Sequence, residues 1–383
     1  MVDVGWDEVV ARRLERSSLS RRAGSDRLVE VAAAVCGAHA QVQASAELQL
    51  AARLEGVAQA DVRAALWERR ALVKAWTIRG TLHLHPANEL ALWHAARRAV
   101  LRSADRGLPA WRDPAGVQHE PLAAADVEAV RAAVWEVLDG RCLLRDELVE
   151  EVVKRLGAAP RKRLASGFAF FLGELCQGPP RGSRITLARP DQWIEGWREF
   201  PDDDDEALRE VCRRFLRAYG PARPADFSEW FASSTFKVAD ARALFAELGA
   251  GLEEVAVDGR PSFVLAGDRS FPSPGDRVRL LPEYDAYVMG SRERDRLVPD
   301  HVRELIASHG RGRYEGPAGV RLVLVDGIAA GLWERRKRGK RLELTVRLTQ
   351  RAGRKRQAEL HREAVRLGAF LGLEPVLSVD SSV

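Results

Sequence analysis

Cysteine is scarce and widely spaced in this chain of 383 residues. None of the four cysteines forms a C-x-x-C pair; they are Cys36, Cys142, Cys176 and Cys212. Structural zinc sites use closely spaced cysteine pairs, and disulfide frameworks are typical of small secreted chains. The sequence therefore predicts neither of them, and it fits the reducing environment of the cytosol.

Long apolar runs and several catalytic signatures are missing as well. No stretch approaches the roughly eighteen apolar residues that span a bilayer. The first residues show no basic region ahead of an apolar run, so we expect no signal peptide and a cytoplasmic protein. A Walker loop, a Rossmann fingerprint, a G-x-S-x-G elbow and an H-E-x-x-H motif are all absent, which disfavours the enzymes built on them. We expect no metal and no cofactor.

Net charge and length give coarser limits. Lysine and arginine number 60 against 55 acidic residues, and the sequence pI is about 9.2. This is a modest bias toward anionic partners. The chain is longer than one hydrophobic core usually serves, so several modules are expected.

Hydrophobic periodicity predicts four consecutive modules, at 1–98, 99–200, 201–268 and 269–383. Predicted helices cover 7–14, 26–35, 45–54, 61–69, 125–138, 143–153, 168–176, 202–219, 226–231, 238–248 and 357–371. Predicted strands and hairpins cover 72–78, 80–85, 184–187, 252–264, 277–282, 320–328 and 341–346. Helices followed by a β-hairpin outline a winged helix-turn-helix, and the outline recurs in the first three modules. The predicted fold class is α+β, with tandem winged helix-turn-helix modules and a C-terminal β-barrel-like module.

A group of uncharged polar residues follows an apolar stretch near the start of the chain. His39, Gln41 and Gln43 come directly after the small apolar residues 31–38, so we expect them at the end of a packed helix. His39 could accept a proton near neutral pH, and Gln41 could hold a water or stabilise developing charge. Alternatively, the glutamines cap the helix and His39 is a buried, satisfied imidazole.

A second polar group alternates along a predicted strand. Arg79, Thr81, His83 and His85 would share one face, since successive side chains of a strand point to opposite faces. They could form a polar wall that contacts a phosphate or a flipped nucleotide. The structural alternative is a solvated strand face.

Basic residues are concentrated near the C-terminus. From Arg335 to Arg356 there are eleven lysines and arginines and one acid, Glu343. This density favours contact with a polyanion over a merely solvated face. The candidate DNA-binding residues here are Arg335, Arg336, Lys337, Arg338 and Lys340.

Two further charged stretches allow both a functional and a structural interpretation. The loop at 280–296 contains two tyrosines, Asp285, Arg292 and Arg294. It could stack on bases and contact phosphates, or be a structured loop with local salt bridges. The acidic run at 202–206 favours a helix start over a metal site, because carboxylates stabilise the first turn of a helix.

Five short stretches carry a resemblance to a known family. They are Gly37–Gln41, Arg79–Leu84, Ala218–Ala222 with Asp226–Trp230, Leu280–Asp285, and Leu324–Gly327 with Gly331–Trp333. In this order they resemble landmarks of the AlkZ/YcaQ-like winged-helix DNA glycosylases. In the preferred alignment, His39 and Gln41 stand where the family has two catalytic glutamines. An alternative register places Gln41 and Gln43 there.

The resemblance implies tandem winged helices around duplex DNA and a C-terminal β-barrel. It also implies excision of alkylated purines, including bulky adducts and crosslinks from genotoxic natural products. Gln41 would position water and His39 would act as a base or electrostatic partner, with Gln43, Arg79, Thr81 and His83 as further catalytic or pocket candidates. The expected partner is double-stranded DNA with alkylated bases, and we expect a monomer without an obligate protein partner.

Two other classes of function remain open at this point. A winged-helix transcription regulator would bind an operator without catalysis. A drug-binding protein would sequester a genotoxin stoichiometrically and leave no abasic product.

Overall fold

A computed structural model gives the architecture of the chain. It describes residues 2–101, 107, 110–112, 116, 118–157, 174–201, 203–232, 235–273, 275, 277–308 and 319–381. The helix predicted at 168–176 lies mostly outside these residues, and its last residue, Cys176, begins a strand instead.

The described elements alternate between helices and strands along the chain. The helices are α1 (Trp6–Arg16), α2 (Leu28–Ala34), α3 (Gln43–Arg53), α4 (Gln59–Trp67), α5 (Leu90–Leu101), α6 (Ala124–Val137), α7 (Arg145–Leu156), α8 (Pro190–Trp193), α9 (Asp204–Tyr219), α10 (Pro224–Ala232), α11 (Val238–Leu248), α12 (Ala286–Met289), α13 (Arg294–Leu297), α14 (Asp300–Ser308) and α15 (Arg354–Leu371). The strands are β1 (Val2–Val4), β2 (Ala23–Gly24), β3 (Ala38–His39), β4 (Leu54–Glu55), β5 (Leu72–Trp76), β6 (Leu82–Pro86), β7 (Trp111–Arg112), β8 (Gln118–His119), β9 (Leu143–Leu144), β10 (Cys176–Arg181), β11 (Arg184–Ala188), β12 (Leu252–Val257), β13 (Arg260–Leu265), β14 (Val278–Leu281), β15 (Leu322–Val325), β16 (Ile328–Arg338), β17 (Arg341–Leu348) and β18 (Glu374–Ser381). The fold is mixed α+β, as the sequence predicts.

Packing divides the chain into two compact units. The first unit is assembled from residues 1–63, 212–230 and 237–383, and the second from 64–211 and 231–236. The division into winged-helix modules made from the sequence stays a prediction. Among the described helices, none is long and apolar enough to cross a membrane.

The core of the first unit lies between α1, α14 and a sheet near the C-terminus. Helix α1 buries Val9, Val10 and Leu14 on the face that meets strands β14 to β16. Each such side chain contributes about 1.5–3 kcal/mol when it is fully removed from water. This burial anchors the N-terminal helix to the C-terminal sheet.

The C-terminal sheet has the strand order β14-β15-β16-β17-β18. Neighbours pair antiparallel up to β17, and β18 then pairs with β17 in parallel after the crossover helix α15. The turn between β15 and β16 places Asp326 and Gly327 at φ 52° and 84°, which confirms a hairpin turn at the Asp-Gly pair of the predicted segment 320–328. The described strands form an open sheet with β14 and β18 at its edges, and not the closed barrel that the sequence suggests.

The second unit contains the antiparallel sheet order β6-β5-β10-β11-β9. Helices α6 and α7 pack their valines and leucines against β9 and β11. Strand β5 contributes Val73 and Ala75 to a smaller core with Leu90 and Trp193. The hairpin predicted between residues 72 and 85 is confirmed as β5 and β6.

A helix starts within the acidic run, at Asp204, as predicted, whereas residue 202 lies outside the described residues. The backbone N–H of Glu206 donates to Oδ1 of Asp203 at 2.7 Å, which caps the first turn of α9. Carboxylates in this position satisfy backbone donors that would otherwise lack partners.

Candidate active site

A tight reversal of the chain presents His39. Helix α2 ends at Ala34, and Cys36 and Gly37 then adopt φ of 57° and 90°. This left-handed pair turns the chain into the two-residue strand β3, which ends at His39. The helix predicted at 26–35 is thus found at Leu28–Ala34, but the expectation that His39 lies at the end of that helix is wrong, because a turn separates them and His39 lies on a strand.

The His39 side chain is largely enclosed, with 6% of its surface exposed. Its ring lies against Tyr284, with 5.3 Å between ring centroids and 36° between planes. Its backbone carbonyl accepts a hydrogen bond from Nε2 of Gln49 at 2.8 Å. Burial and the Tyr284 ring enclose the imidazole, and the Gln49 bond holds the backbone that carries it.

Gln41 and Gln43 have different surroundings. Gln41 is exposed in the loop before α3, whereas Gln43 is half-buried as the first residue of that helix. The Gln43 amide donates to Oε1 of Glu47 at 3.4 Å, one helical turn further on. Of the three polar residues in this group, Gln41 is therefore the one most accessible to a large substrate.

Glu47 is a buried carboxylate that sequence reasoning missed. It is 1% exposed, and it accepts from Gln59 at 2.6 Å and from Nε of Arg63 at 3.0 Å. These bonds offset the cost of burying a charge. The i, i+4 spacing from Gln43 is a weak signal of their pairing.

The loop that carries Tyr284 is tied to helix α3. Tyr284 has φ of 59°, a left-handed conformation that is costly for a bulky residue. Its neighbour Asp285 forms a bidentate salt bridge with Arg53, at 2.8 and 2.6 Å, and both side chains are fully buried. Oδ1 of Asp285 also accepts from the N–H of Tyr287 at 2.9 Å, which caps α12. The surrounding contacts over-determine the strained residue and hold it against His39.

Helix α3 is also fixed at its C-terminal end. Arg22 and Arg366 donate to the carbonyls of Ala52 and Ala51 at 3.0 and 2.6 Å, which suits the negative end of the helix dipole. Both arginines contact the carboxylate of Glu363. Burial alone would raise the pKa of Glu363, but the arginines around it hold that pKa below its ordinary value.

The second polar group lies in the second unit and departs from the predicted strand face. Arg79 has φ of 53° in a 3₁₀ turn, so it is not part of strand β6. His83 and His85 are buried, which overturns a solvated face for them. Nε2 of His85 lies 2.9 Å from the Thr77 hydroxyl, and Nδ1 of His83 lies 3.0 Å from the Thr81 carbonyl. Both contacts lie within the β5–β6 hairpin, and a role of His83 in the pocket stays a prediction.

The basic residues near the C-terminus lie on one hairpin. Strands β16 and β17 meet at Gly339, and we call residues 335–341 the basic hairpin. Its exposed cations are Arg336, Lys337, Arg338, Lys340 and Arg341. Arg335 is half-buried, and desolvation followed by the nearby charge of Arg321 lowers its pKa. The hairpin thus presents a dense positive edge.

Arg292 and Arg294 lie outside this hairpin. Arg292 is exposed and pairs with Glu229 at 2.7 Å, and Arg294 is half-buried at the start of α13. The loop at 280–296 is thus structured and contains salt bridges. Within the described part of the chain, no group of three or more His, Cys, Asp or Glu residues is placed to hold a metal ion.

Comparison with known proteins finds matches over almost the whole chain. The family model described as DNA glycosylase AlkZ-like matches residues 32–370. An interstrand DNA cross-link repair glycosylase of Streptomyces sahachiroi is 32% identical over 343 residues, which cover 86% of this chain and 87% of that protein. The solved structure of the Streptomyces sahachiroi DNA glycosylase AlkZ matches with a TM-score of 0.77 and 27% identity, over 99% of this chain and 100% of that one.

Proposed function

This chain belongs to the AlkZ-like family of DNA glycosylases, and from that premise we propose that it hydrolyses the N-glycosidic bond of alkylated purines in duplex DNA. The substrates we propose are bulky alkylguanine adducts and interstrand crosslinks, since the curated relative is named for crosslink repair. The corresponding role is DNA repair or self-resistance to a genotoxic natural product.

The observation that carries this proposal is that an exposed Gln41 follows an enclosed His39 by two residues in the region that the family model matches. A guanine alkylated on an imidazole-ring nitrogen is cationic and already a good leaving group. The enzyme therefore needs no strong acid to protonate the base. It must direct a water to the anomeric carbon and stabilise oxocarbenium-like charge, and uncharged amide and imidazole groups suit the first task.

In our assignment Gln41 positions the water, and His39 accepts its proton or acts as an electrostatic partner. The alternative register uses Gln41 and Gln43. Because the Gln43 amide donates to Glu47 within its own helix, the geometry favours His39 and Gln41.

The basic hairpin is proposed to contact DNA phosphates. Changing Arg336, Lys337 and Lys340 together to glutamine should reduce the slope of log K against log salt by about 2–3, because each lost phosphate contact removes about 0.9. The measurement is a salt titration of binding to an undamaged duplex.

The control for the hairpin variant replaces three exposed basic residues that already pair with an acid three residues away, Arg27, Lys154 and Arg362. This control should leave the salt slope unchanged. Equal slopes for wild type and the hairpin variant would remove the hairpin from the DNA interface.

The function itself is tested by incubating the purified protein with duplexes that carry a defined alkylguanine or a defined crosslink. Alkaline treatment then cleaves any abasic site, and a denaturing gel resolves the product. Strand scission that depends on protein would support a monofunctional glycosylase. Retained binding with no scission on any adduct would instead favour a DNA-binding protein without catalysis.

A further inference from the structure

Two hydrogen bonds hold the turn that presents His39, one at each end. At its start, the Tyr219 hydroxyl donates to the carbonyl of Val35 at 2.7 Å. At its end, the Gln49 amide donates to the carbonyl of His39 at 2.8 Å. Both donors are buried, at 3% and 1% exposure, and neither belongs to α2 or β3.

Both donors also contact the same short segment, Asp285–Gly290. Oε1 of Gln49 accepts from the N–H of Ala286 at 3.2 Å. The Tyr219 ring lies directly on Gly290, where an added Cβ would fall 2.2 Å from its Cε1 atom. Glycine at 290 therefore permits a close approach that any other residue would block.

The Asp285–Gly290 segment is itself held in place, so its contacts with Tyr219 and Gln49 fix the positions of these two side chains. It contains helix α12, which Asp285 caps, and the buried Arg53 salt bridge fixes Asp285. The Tyr219 ring is further confined by Phe215 and Trp230, at centroid distances of 5.6 and 5.9 Å. The position of the turn is thus set by Tyr219 and Gln49, which lie outside the turn and are themselves tightly packed.

We propose that Tyr219 and Gln49 are positioning residues that set the place of His39 and Gln41 relative to the Asp285–Gly290 segment. The inference rests on the proposed glycosylase function and deepens it. Because both side chains are buried, they act through the turn and not on the substrate. A reacting group displaced by about 1 Å costs on the order of 100-fold in rate. A small shift of this turn would therefore lower the rate of excision measurably.

The test compares Tyr219→Phe and Gln49→Met with wild type. The measurements are the single-turnover rate of alkylguanine excision, the dissociation constant for the same duplex, and the thermal midpoint. Each variant removes the donor to the turn while nearly keeping the side-chain size. We expect the rate to fall by about 10–100-fold in each variant, with binding within about two-fold of wild type.

The chain offers a matched control for the loss of a hydroxyl group. Thr186 is buried like Tyr219, and its hydroxyl donates to the carbonyl of Pro179 at 2.8 Å, within the second unit. Thr186→Val should show a similar change in thermal midpoint and the excision rate of wild type. A loss of rate in this control equal to that of Tyr219→Phe would show a general structural effect and overturn the proposal.

A third variant separates the two bonds of Gln49. Gln49→Glu keeps an oxygen for the Ala286 N–H and replaces the donor to His39 by an acceptor. It should be at least as slow as Gln49→Met. Wild-type rates in folded Tyr219→Phe, Gln49→Met and Gln49→Glu would overturn the positioning role while leaving the glycosylase proposal intact. Absence of scission by wild type would instead refute the function itself.

Discussion

Replacing Gln41 with alanine is expected to lower the single-turnover rate of alkylguanine excision by about 10²–10⁴-fold, because the water would lose the group that orients it. His39→Ala should lose a comparable factor, since proton acceptance or charge stabilisation would be absent. Binding to the damaged duplex should stay within a few-fold of wild type. Alkaline cleavage and gel analysis of a time course give the rates.

Gln43→Ala decides between the two registers of the motif. If His39 and Gln41 are the catalytic pair, this variant keeps most of the wild-type rate. A loss in Gln43→Ala equal to that in Gln41→Ala, with His39→Ala active, would establish the alternative register. Each variant is compared at a temperature where its circular dichroism matches that of wild type.

The largest expected effect on stability comes from the buried pair of Arg53 and Asp285. Burial opposes the charge on Arg53, yet the facing carboxylate raises its pKa above the ordinary value. Asp285→Ala would leave a fully buried guanidinium without its counter-charge. We expect a loss of about 3–5 kcal/mol in the free energy of unfolding, measured by urea denaturation.

Two comparisons make the stability prediction specific. Glu343→Ala breaks the exposed pair with Arg338 and should cost less than about 1 kcal/mol. The double replacement Arg53→Met with Asp285→Leu should be more stable than Asp285→Ala, because no unpaired charge is then buried. A cost below about 1 kcal/mol for Asp285→Ala would contradict the importance of the pair.

Local chemistry made part of this fold predictable from the sequence. The hairpin at Asp326 and Gly327 follows from the preference of those residues for positive φ. The start of α9 follows from its acidic first turn. The helix at 238–248 has the predicted bounds, because the Asp240 carboxylate caps its first turn and Gly249 follows its last residue. In each case the signal lies within a few residues.

The errors arise where the backbone departs from what its residues prefer. Cys36 and Arg79 adopt positive φ without being glycine, so His39 does not lie at a helix end and Arg79 does not lie on the strand face, although the sequence pattern predicts both positions. The sequence analysis does not predict strand β18, because this short stretch becomes a strand through its parallel pairing with β17. Tertiary contacts decide such positions, and the sequence does not display them.

In the candidate site, too, some residues are predictable from the sequence and others are not. His39 and Gln41 were found because polar residues stand out after an apolar stretch. Their supports were not found, because Tyr219 meets Val35 across 184 residues and Arg53 meets Asp285 across 232. Glu47 was hidden as an ordinary helix residue until its contacts with Gln59 and Arg63 were seen.

The assembly of the first unit from three separated segments has a consequence for biosynthesis. Residues 1–63 leave the ribosome early, but two side chains that hold the His39 turn, Tyr219 and Tyr284, come from 212–230 and from 237–383. A nascent chain that ends before Asp285 carries His39 and Gln41 but lacks the Asp285–Gly290 segment that Gln49 and Tyr219 contact. The site can therefore form only late in translation, after the second unit and much of the C-terminal segment have been made.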